Sequence, residues 1–297
     1  MNKQRIRLYW HNPKAVKNFG DMLSPIIISA LSDKIIKYTP CIPRSNILNL
    51  LVYNLKRFQF KIIFDILFAL FQTKIMAIGS IIRLSDDKTI VWGSGILYRN
   101  DSIKGGNFLA VRGHITRQRL KELGFNPPDI VGDPAILLRR LYIKSIIPIY
   151  EYGIIPHYVD YDNVVKKTNE LYMNYPIIKL LNEDPYQIIN EIRLCKRIFS
   201  SSLHGLIVSH SYGIPSIWCK FSDNLEGDYS KFEDYFSSVN ISFYKPYEVF
   251  NFEVFKQPAL IFEQYMEDIS LPDNKIIDKI CDDLLSIAPF KIKHHLY

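Results

Sequence analysis

Glycine is scarce in this chain, and no apolar run is long. There are 13 glycines in 297 residues, which excludes collagen-like and linker-like classes. Charged residues interrupt the most apolar stretch, 58–82, and its longest uninterrupted run, 66–71, is far shorter than the ~20 residues that a membrane-spanning helix needs. The first ten residues lack the apolar region of a signal peptide. We therefore expect a cytoplasmic protein that is soluble or peripheral to a membrane.

The common cofactor and metal motifs are missing as well. The four cysteines, Cys41, Cys195, Cys219 and Cys281, are far apart and form no CxxC or His/Cys cluster, so we predict buried, reduced thiols. The chain has no P-loop, no HExxH, no DxD pair and no GxSxG elbow. A lone GxG follows Trp92, which is a weak sign of a dinucleotide site. We expect neither a metal nor a redox cofactor.

The charge balance is mildly basic. Lys and Arg number 37 against 30 Asp and Glu, which gives a formal net charge of +7. The basic residues do not form one run, so we expect no nucleic-acid partner. An anionic substrate or an anionic membrane surface fits this bias.

Short apolar runs alternate with helical patterns, which is typical of βαβ units and a parallel sheet. The pattern predicts strands over 5–10, 74–82, 89–96, 107–111 and 129–131. It predicts helices from Asp21 to about Ile36 and over 114–123, the second ending at Gly124.

A second alternating series of strands and helices follows the segment 138–148, which has no motif and where we place the domain boundary. It predicts strands over 152–156, 177–181, 197–200 and 216–219, and helices over 185–195, 203–212 and 273–287. We therefore predict an α/β protein with two domains, 1–143 and 144–297.

The stretch 46–71 has two interpretations. It contains several apolar runs, and Lys56, Arg57 and Lys61 are grouped at its middle. The interpretation that we favour is a buried helix pair inserted in the first domain, where it fills the core. The alternative is a basic amphipathic surface that rests on a membrane, in which Asp65 and the short apolar runs exclude a span.

Polar residues follow several predicted strands, at the edge where open α/β sheets bind ligands. Asn18–Asp21 forms either a turn with a helix cap or a loop that approaches a substrate hydroxyl. Arg112 ends a buried strand, with Thr116 one helical turn later, which favours an anion partner for the guanidinium. Gly132-Asp133-Pro134 is better explained as a structural turn.

The most specific pattern is the sequence SSSLHG at 200–205. A strand ends in three serines and a helix begins at once, and a helix N-terminus offers free N–H groups and a positive dipole end to an anion. His204 lies in the first turn of that helix, where it can donate a proton to a bound ligand. His210 is six residues further on, on a different face, and we assign it to the core or the surface.

Six motifs in this order resemble the polysaccharide pyruvyl transferase family. They are NFGD at 18–21, WGSGI at 92–96, AVRGHIT at 110–116, VGDPAILL at 131–138, IPHYVD at 155–160 and, most specifically, SSSLHGLIVSHSYGIPSI at 200–217. The resemblance implies two Rossmann-like domains facing across a cleft, an architecture like that of the GT-B glycosyltransferases. It also implies transfer of pyruvate from phosphoenolpyruvate to a sugar as a cyclic ketal.

The resemblance assigns the donor to two strand ends. Arg112 matches the family's arginine, Leu203 and His204 match its Leu-His pair, and Ser202 stands where some members carry Arg. We expect the donor to contact Arg112, Ser201, Ser202, Leu203 and His204.

Phosphoenolpyruvate is compact and anionic, which suits an arginine and a helix N-terminus. Protonation of its methylene carbon needs an acid, for which we select His204, and Asp21 is the candidate base. We count His204, Arg112 and Asp21 as catalytic. The acceptor is expected to meet Asn18, Gly20, Asp21, Ser94, Gly95 and Thr116.

The resemblance further implies a glycan acceptor on a polyprenyl diphosphate carrier, at the inner face of the cytoplasmic membrane. Two other functions remain open from the sequence. One is a GT-B glycosyltransferase that uses a nucleotide sugar, because fold alone does not exclude it. The other is a carbohydrate-binding or scaffold subunit without turnover.

Overall fold

The computed structural model describes residues 5–11, 18–41, 44–182, 184–265 and 267–293. Residues 12–17, in the predicted loop after the first strand, lie outside this description.

The first half of the chain forms a parallel sheet. Within the described residues it has six strands, in the spatial order β2-β1-β3-β4-β5-β6. The strands are β1 Arg5–Tyr9, β2 Ile35–Tyr38, β3 Lys74–Met76, β4 Thr89–Trp92, β5 Asn107–Val111 and β6 Ile130–Val131. All-parallel sheets are covered on both faces by helices, and the strand interiors are accordingly apolar.

A second parallel sheet follows in the chain. It has the order β10-β9-β8-β7, counted over the described part of the chain. Its strands are β7 Tyr150–Ile155, β8 Cys195–Ser200, β9 Ser216–Lys220 and β10 Tyr247–Glu248. The protein is therefore α/β with two parallel sheets, which confirms the predicted class. The facing of two Rossmann-like domains across a cleft stays a prediction.

Helices connect the strands and cover the sheets. They are α1 Phe19–Leu31, α2 Arg44–Lys56, α3 Phe60–Phe71, α4 His114–Glu122, α5 Leu138–Leu141, α6 Tyr161–Glu170, α7 Pro185–Arg193, α8 Leu203–Ser211, α9 Ser230–Ser238, α10 Pro258–Gln264, α11 Glu267–Ser270 and α12 Asn274–Ser286. Short 3-10 turns occupy Ile82–Leu84, Pro134–Leu137 and Phe252–Lys256.

Several predicted elements differ from the observed ones. The first helix ends at Leu31, where Ser32 donates its hydroxyl to the carbonyl of Ile28 at 2.7 Å, and the chain then enters β2 at the sheet edge instead of continuing as helix. The strand predicted over 74–82 ends at Met76. The strand predicted over 177–181 makes two isolated bridges, from Ile177 to Ile154 and from Leu181 to Asn18. Helices α6 and α9 were not predicted.

The helix pair predicted within 46–71 is present as α2 and α3, but its predicted burial in the core is wrong. Large side chains there are exposed, among them Leu48 at 71%, Phe64 at 67% and Phe71 at 76%. Of the side chains described in these two helices, Asn54 and Ala69 are buried. The two helices pack against each other and leave most of their apolar surface in solvent.

One hydrophobic cluster runs through both sheets. It joins Phe19 and Trp92 of the first half with Ile198 and Trp218 of the second. Helix α12 returns to the first sheet, where the indole of Trp92 donates to the carbonyl of Leu284 at 3.0 Å. Because the two halves share this cluster, the cluster marks no division between them. The predicted domain boundary at 143 stays a prediction.

Candidate functional site

The candidate site lies where the carboxyl ends of strands from both sheets approach each other. Arg112 follows β5, His157 follows β7, and the serine turn that precedes α8 follows β8. Because parallel strands all end at the same edge, residues distant in sequence are brought together there.

Arg112 is fully buried and held on three sides. Its Nε donates to Oδ2 of Asp234 at 2.9 Å, its Nη1 to the hydroxyl of Ser80 at 2.7 Å, and its Nη2 to the carbonyl of Ile96 at 2.6 Å. A guanidinium has five N–H donors, so hydrogen atoms on Nη1 and Nη2 remain for a further acceptor. The strand end therefore fixes the position of a permanent positive charge.

Asp234 comes from α9, far along the chain, and is also fully buried. Its Oδ1 accepts the backbone N–H of Thr116 and its Oδ2 accepts the Thr116 hydroxyl, each at 2.7 Å. The Thr116 hydroxyl in turn accepts the N–H of Ile96 at 3.0 Å. This network ties α9 to the first sheet, and it balances the buried charge of Arg112.

Two glycines permit the close packing of this pair. A Cβ on Gly95 would stand 2.6 Å from the Arg112 guanidinium and from Oδ2 of Asp234, and a Cβ on Gly113 would overlap the Asp234 backbone. Ser94 is fully buried and donates to the carbonyl of Gly79 at 2.7 Å. The contacts of Ser94, Gly95 and Thr116 in the structure are thus internal, and their predicted acceptor role stays a prediction.

The three serines shape the turn before α8. Ser200 donates its hydroxyl to the carbonyl of Ile155 at 3.0 Å and accepts the N–H of Ser202 at 3.0 Å. Ser201 accepts the N–H of His157 at 2.8 Å, and Ser202 caps the helix by accepting the N–H of Gly205 at 3.4 Å. Ser201 and Ser202 keep a hydroxyl hydrogen to donate.

The first turn of α8 holds Leu203 and His204. Their backbone N–H groups precede any intrahelical acceptor, as at every helix start. The Leu203 side chain is buried in the core. The His204 imidazole lies against Gly20 in the first turn of α1, so closely that position 20 has no room for a Cβ. The N-termini of α1 and α8 therefore meet at this histidine.

His204 has an uncommon environment. Its Nε2 is shielded from solvent and has no hydrogen-bond partner among the described residues. Burial, followed by electrostatic interaction with Arg112, Lys231 and His157, lowers the pKa of His204 to about 3. The imidazole is therefore neutral at physiological pH, and its Nε2 is available to a ligand.

Two basic residues that sequence analysis missed surround His204. His157 has a shielded Nδ1 without a partner in the described structure, and burial, followed by the charge of Lys231, lowers its pKa to about 4. Lys231, in the first turn of α9, donates to the carbonyl of Glu226 at 3.0 Å. Burial and the nearby charge of Arg112 lower the pKa of Lys231 to about 8. Both halves of the chain thus contribute positive potential to one region.

The first turn of α1 borders this region. Asn18 caps the helix by accepting the N–H of Gly20 at 3.4 Å, and it forms a bridge with Leu181 of the second half. Burial raises the pKa of Asp21 to about 7, against the lowering effect of its hydrogen bond with Asn18. A carboxyl with a pKa near neutrality can accept or donate a proton, as the predicted base must.

Two other candidates have structural roles, as predicted. Asp133 accepts the N–H of Ala135 at 2.9 Å and caps the turn Pro134–Leu137. His210 is buried between the Tyr235 hydroxyl, 2.9 Å from its Nδ1, and the Ser270 carbonyl, 3.1 Å from its Nε2. Over the described ranges, no group of three or more His, Cys, Asp or Glu residues could hold a metal ion.

A signal for the missed residues exists in the sequence. His157 follows a strand in the IPHYVD motif. Phe232, Tyr235 and Phe236 have the helical spacing of an apolar face, which could have identified α9 and with it Lys231 and Asp234.

Comparison with known proteins agrees with the geometry. An uncharacterized protein of Acanthamoeba polyphaga mimivirus is 38% identical over 170 residues, which are 55% of this chain and 59% of that protein. The match therefore spans less than two thirds of that relative's length. The family model for polysaccharide pyruvyl transferase matches residues 18–223, which is more than half of the 297 residues and includes every predicted site residue. The chain belongs to the polysaccharide pyruvyl transferase family.

Proposed function

We propose that the protein transfers the pyruvyl group of phosphoenolpyruvate to two hydroxyls of a glycan and forms a cyclic ketal. The observation that carries this proposal is the group of basic side chains at the strand ends. Burial, followed by the charge of Arg112 and Lys231, lowers the pKa of His204, and burial, followed by the charge of Lys231, lowers the pKa of His157. Perturbed pKa values that cluster in one place mark a candidate functional site, and the ammonium of Lys231 beside the Arg112 guanidinium favours an anionic ligand there.

Phosphoenolpyruvate has the required charge. Its phosphate and carboxylate can receive N–H donors from the Arg112 fork, the Lys231 ammonium and the first turn of α8. Ser201 and Ser202 can add hydroxyl donors where some family members have an arginine. A bound anion offsets the positive potential that lowers the pKa of His204, so donor binding favours uptake of a proton by this imidazole.

The reaction then needs two proton transfers. His204 donates a proton to the methylene carbon of the donor, and C2 becomes an oxocarbenium-like centre. One sugar hydroxyl attacks C2, the phosphate leaves, and a second hydroxyl closes the ketal. Asp21 accepts the proton of the attacking hydroxyl, and the other hydroxyl proton leaves with the phosphate. This scheme involves no metal or redox cofactor.

In this proposal the two sheets form the two sides of a GT-B-like cleft. The half that contains Asp21, 1–143, receives the acceptor, and the half that contains His204, 144–297, supplies most donor contacts. The acceptor is a surface or capsular glycan, or its precursor on a polyprenyl diphosphate, which would place the reaction at the inner face of the cytoplasmic membrane.

One assay tests the proposal. The protein is incubated with phosphoenolpyruvate and oligosaccharides that contain galactose or mannose. We expect phosphate release coupled to an acceptor mass gain of one pyruvic acid minus one water. Arg112 and His204 variants serve as negative controls.

Two outcomes would contradict it. Sugar transfer from a nucleotide sugar, without use of phosphoenolpyruvate, would indicate a glycosyltransferase. Binding of both compounds without turnover across a range of acceptors would indicate a carbohydrate-binding subunit.

A further inference from the structure

Helices α2 and α3, with the turn between them, expose a concentrated apolar surface. Eleven of the 25 large hydrophobic side chains that are exposed among the described residues lie here. They are Leu48, Val52, Tyr53, Leu55, Phe58, Phe60, Ile62, Phe64, Leu67, Phe68 and Phe71. Contiguous exposed apolar patches on soluble proteins mark interaction sites.

Four exposed apolar residues of α3 share one helical face. Phe60, Phe64, Leu67 and Phe71 are spaced by four, three and four residues and are 61%, 67%, 41% and 76% exposed. Residues with this spacing project from the same side of a helix. Ala69 is buried, whereas the four residues of this face are free to meet a partner.

The turn between the helices has a conformation that favours glycine, yet it carries an aromatic residue. Phe58 has a φ of 56° and is 80% exposed. Glycine avoids the cost of this left-handed conformation. The Phe58 ring lies 6.3 Å from the Phe60 ring, centre to centre, and the two together extend the aromatic surface to the tip of the helix pair.

The surface itself is basic. Residues 44–71, which span α2, the turn and α3, contain four basic residues and one acidic residue, Asp65, a net charge of +3 within a total of +7. Lys56, Arg57 and Lys61 are exposed around the turn, and the Arg57 guanidinium lies 4.3 Å from the centre of the Tyr53 ring.

The positive charge of this surface indicates which partner binds it. In a symmetric dimer the same patch meets itself, so a second copy would place a net charge of +3 against the same charge. An anionic lipid surface instead offers negative headgroups to the basic residues and an acyl boundary to the aromatic ones. None of the helices in the described part of the chain is long and apolar enough to cross a membrane, which is consistent with a pair that lies flat.

We propose that α2, the turn at 57–59 and α3 bind the surface of an anionic membrane, with Phe58 and the aromatic face of α3 at the headgroup boundary. The inference is independent of the proposed reaction, because binding is measured without donor or acceptor. It would hold a peripheral enzyme next to a lipid-linked acceptor.

The first experiment is co-sedimentation of the full chain with vesicles. We expect binding to phosphatidylcholine vesicles that contain phosphatidylserine, little binding to pure phosphatidylcholine, and at least tenfold weaker binding in high salt. Lys56→Glu with Arg57→Glu should abolish binding. The control is Lys166→Glu with Lys167→Glu, an adjacent exposed basic pair on α6, which should bind like the wild type.

The second experiment tests the apolar contact. Phe58→Gly removes the ring and suits the backbone, so the variant should fold normally and bind vesicles at least tenfold more weakly. Tyr172→Gly is the matched control, because Tyr172 is 91% exposed with a φ of 52° outside this surface. In Phe58→Trp, the indole emission should shift to the blue when anionic vesicles are added.

Three results would overturn the proposal. One is no binding to anionic vesicles at low salt. Another is binding that Phe58→Gly and the charge reversal leave unchanged. The third is a concentration-dependent dimer that Phe58→Gly dissociates, which would make the surface an interface between two copies.

Discussion

Asp234 holds Arg112 in a buried ion pair, with 2.9 Å between Oδ2 and Nε and both side chains fully buried. The pair joins a strand end of the first sheet to helix α9, which follows the second sheet in the chain. One carboxylate therefore positions Arg112. It also positions helix α9, which carries both Asp234 and Lys231, against the first sheet.

Removal of this carboxylate should destabilise the fold. Asp234→Ala leaves Arg112 buried and unpaired, and we expect the free energy of unfolding to fall by about 3–5 kcal/mol in urea titrations. The adjacent Glu233→Ala removes only a half-buried carboxylate that pairs with the exposed Arg99, and it should cost less than about 1 kcal/mol. Equal losses in the two variants would show that the buried pair adds nothing specific.

Gly20 should control activity through His204. In Gly20→Ala the new methyl group displaces the imidazole, since position 20 has no room for a Cβ, and kcat should fall while the fold is retained. In a His204→Ala background the obstacle is gone, and Gly20→Ala should stabilise α1 by up to about 1 kcal/mol through helix propensity. Kinetics and urea titration of the four proteins measure this coupling. Additive effects would show that Gly20 and His204 do not interact.

The strand ends of the site could be predicted, whereas the partner of Arg112 could not. Val111-Arg112-Gly113 and SSSLHG each follow a short apolar run, a local pattern. Asp234 lies 122 residues from Arg112, and its helix begins after Tyr229 in a left-handed conformation without a side-chain cap. Neither the long-range pairing nor that helix start has a clear local signal.

The error in 46–71 has a different physical cause. An apolar face at helical spacing predicts burial against something, but it does not say whether the partner is the protein's own core or an outside surface. The structure contradicts burial in the core, because most of the described apolar side chains of the two helices are exposed, and the membrane alternative stays a proposal.

His204 should be required for turnover. His204→Gln keeps a polar side chain but cannot act as the acid, and we expect kcat to fall by on the order of 10²–10⁴. Thermal unfolding should change little. Retention of turnover within a few fold would assign the proton transfer to another group, with His157→Gln as the next variant to compare.

The same variant should change how stability depends on pH. The pKa of His204 is about 3 in the fold and near 6.5 when unfolded, so between these values the unfolded chain binds one more proton. Stability therefore falls as pH drops below 6.5. In His204→Gln the slope of unfolding free energy against pH, between about pH 4 and 6, should decrease by up to ~1.4 kcal/mol per pH unit. An unchanged slope would mean that His204 is protonated in the fold.

Lys231 should oppose stability and favour donor binding. Its ammonium is placed near Arg112 in a buried region, which lowers its pKa to about 8. Lys231→Met keeps the length of the side chain and removes the charge. The free energy of unfolding should stay the same or rise by about 1 kcal/mol, while kcat/KM for phosphoenolpyruvate falls at least tenfold.

The pH dependence separates this role from a structural one. In the wild type the donor KM should rise above about pH 8, because the ammonium loses its proton, and in Lys231→Met this rise should be absent. Lys167→Met, on the exposed face of α6, should leave the kinetics unchanged. A destabilised Lys231→Met variant with normal donor kinetics would contradict this role. Lys231 would then serve the fold through its hydrogen bond to the Glu226 carbonyl, and the anion would contact other groups.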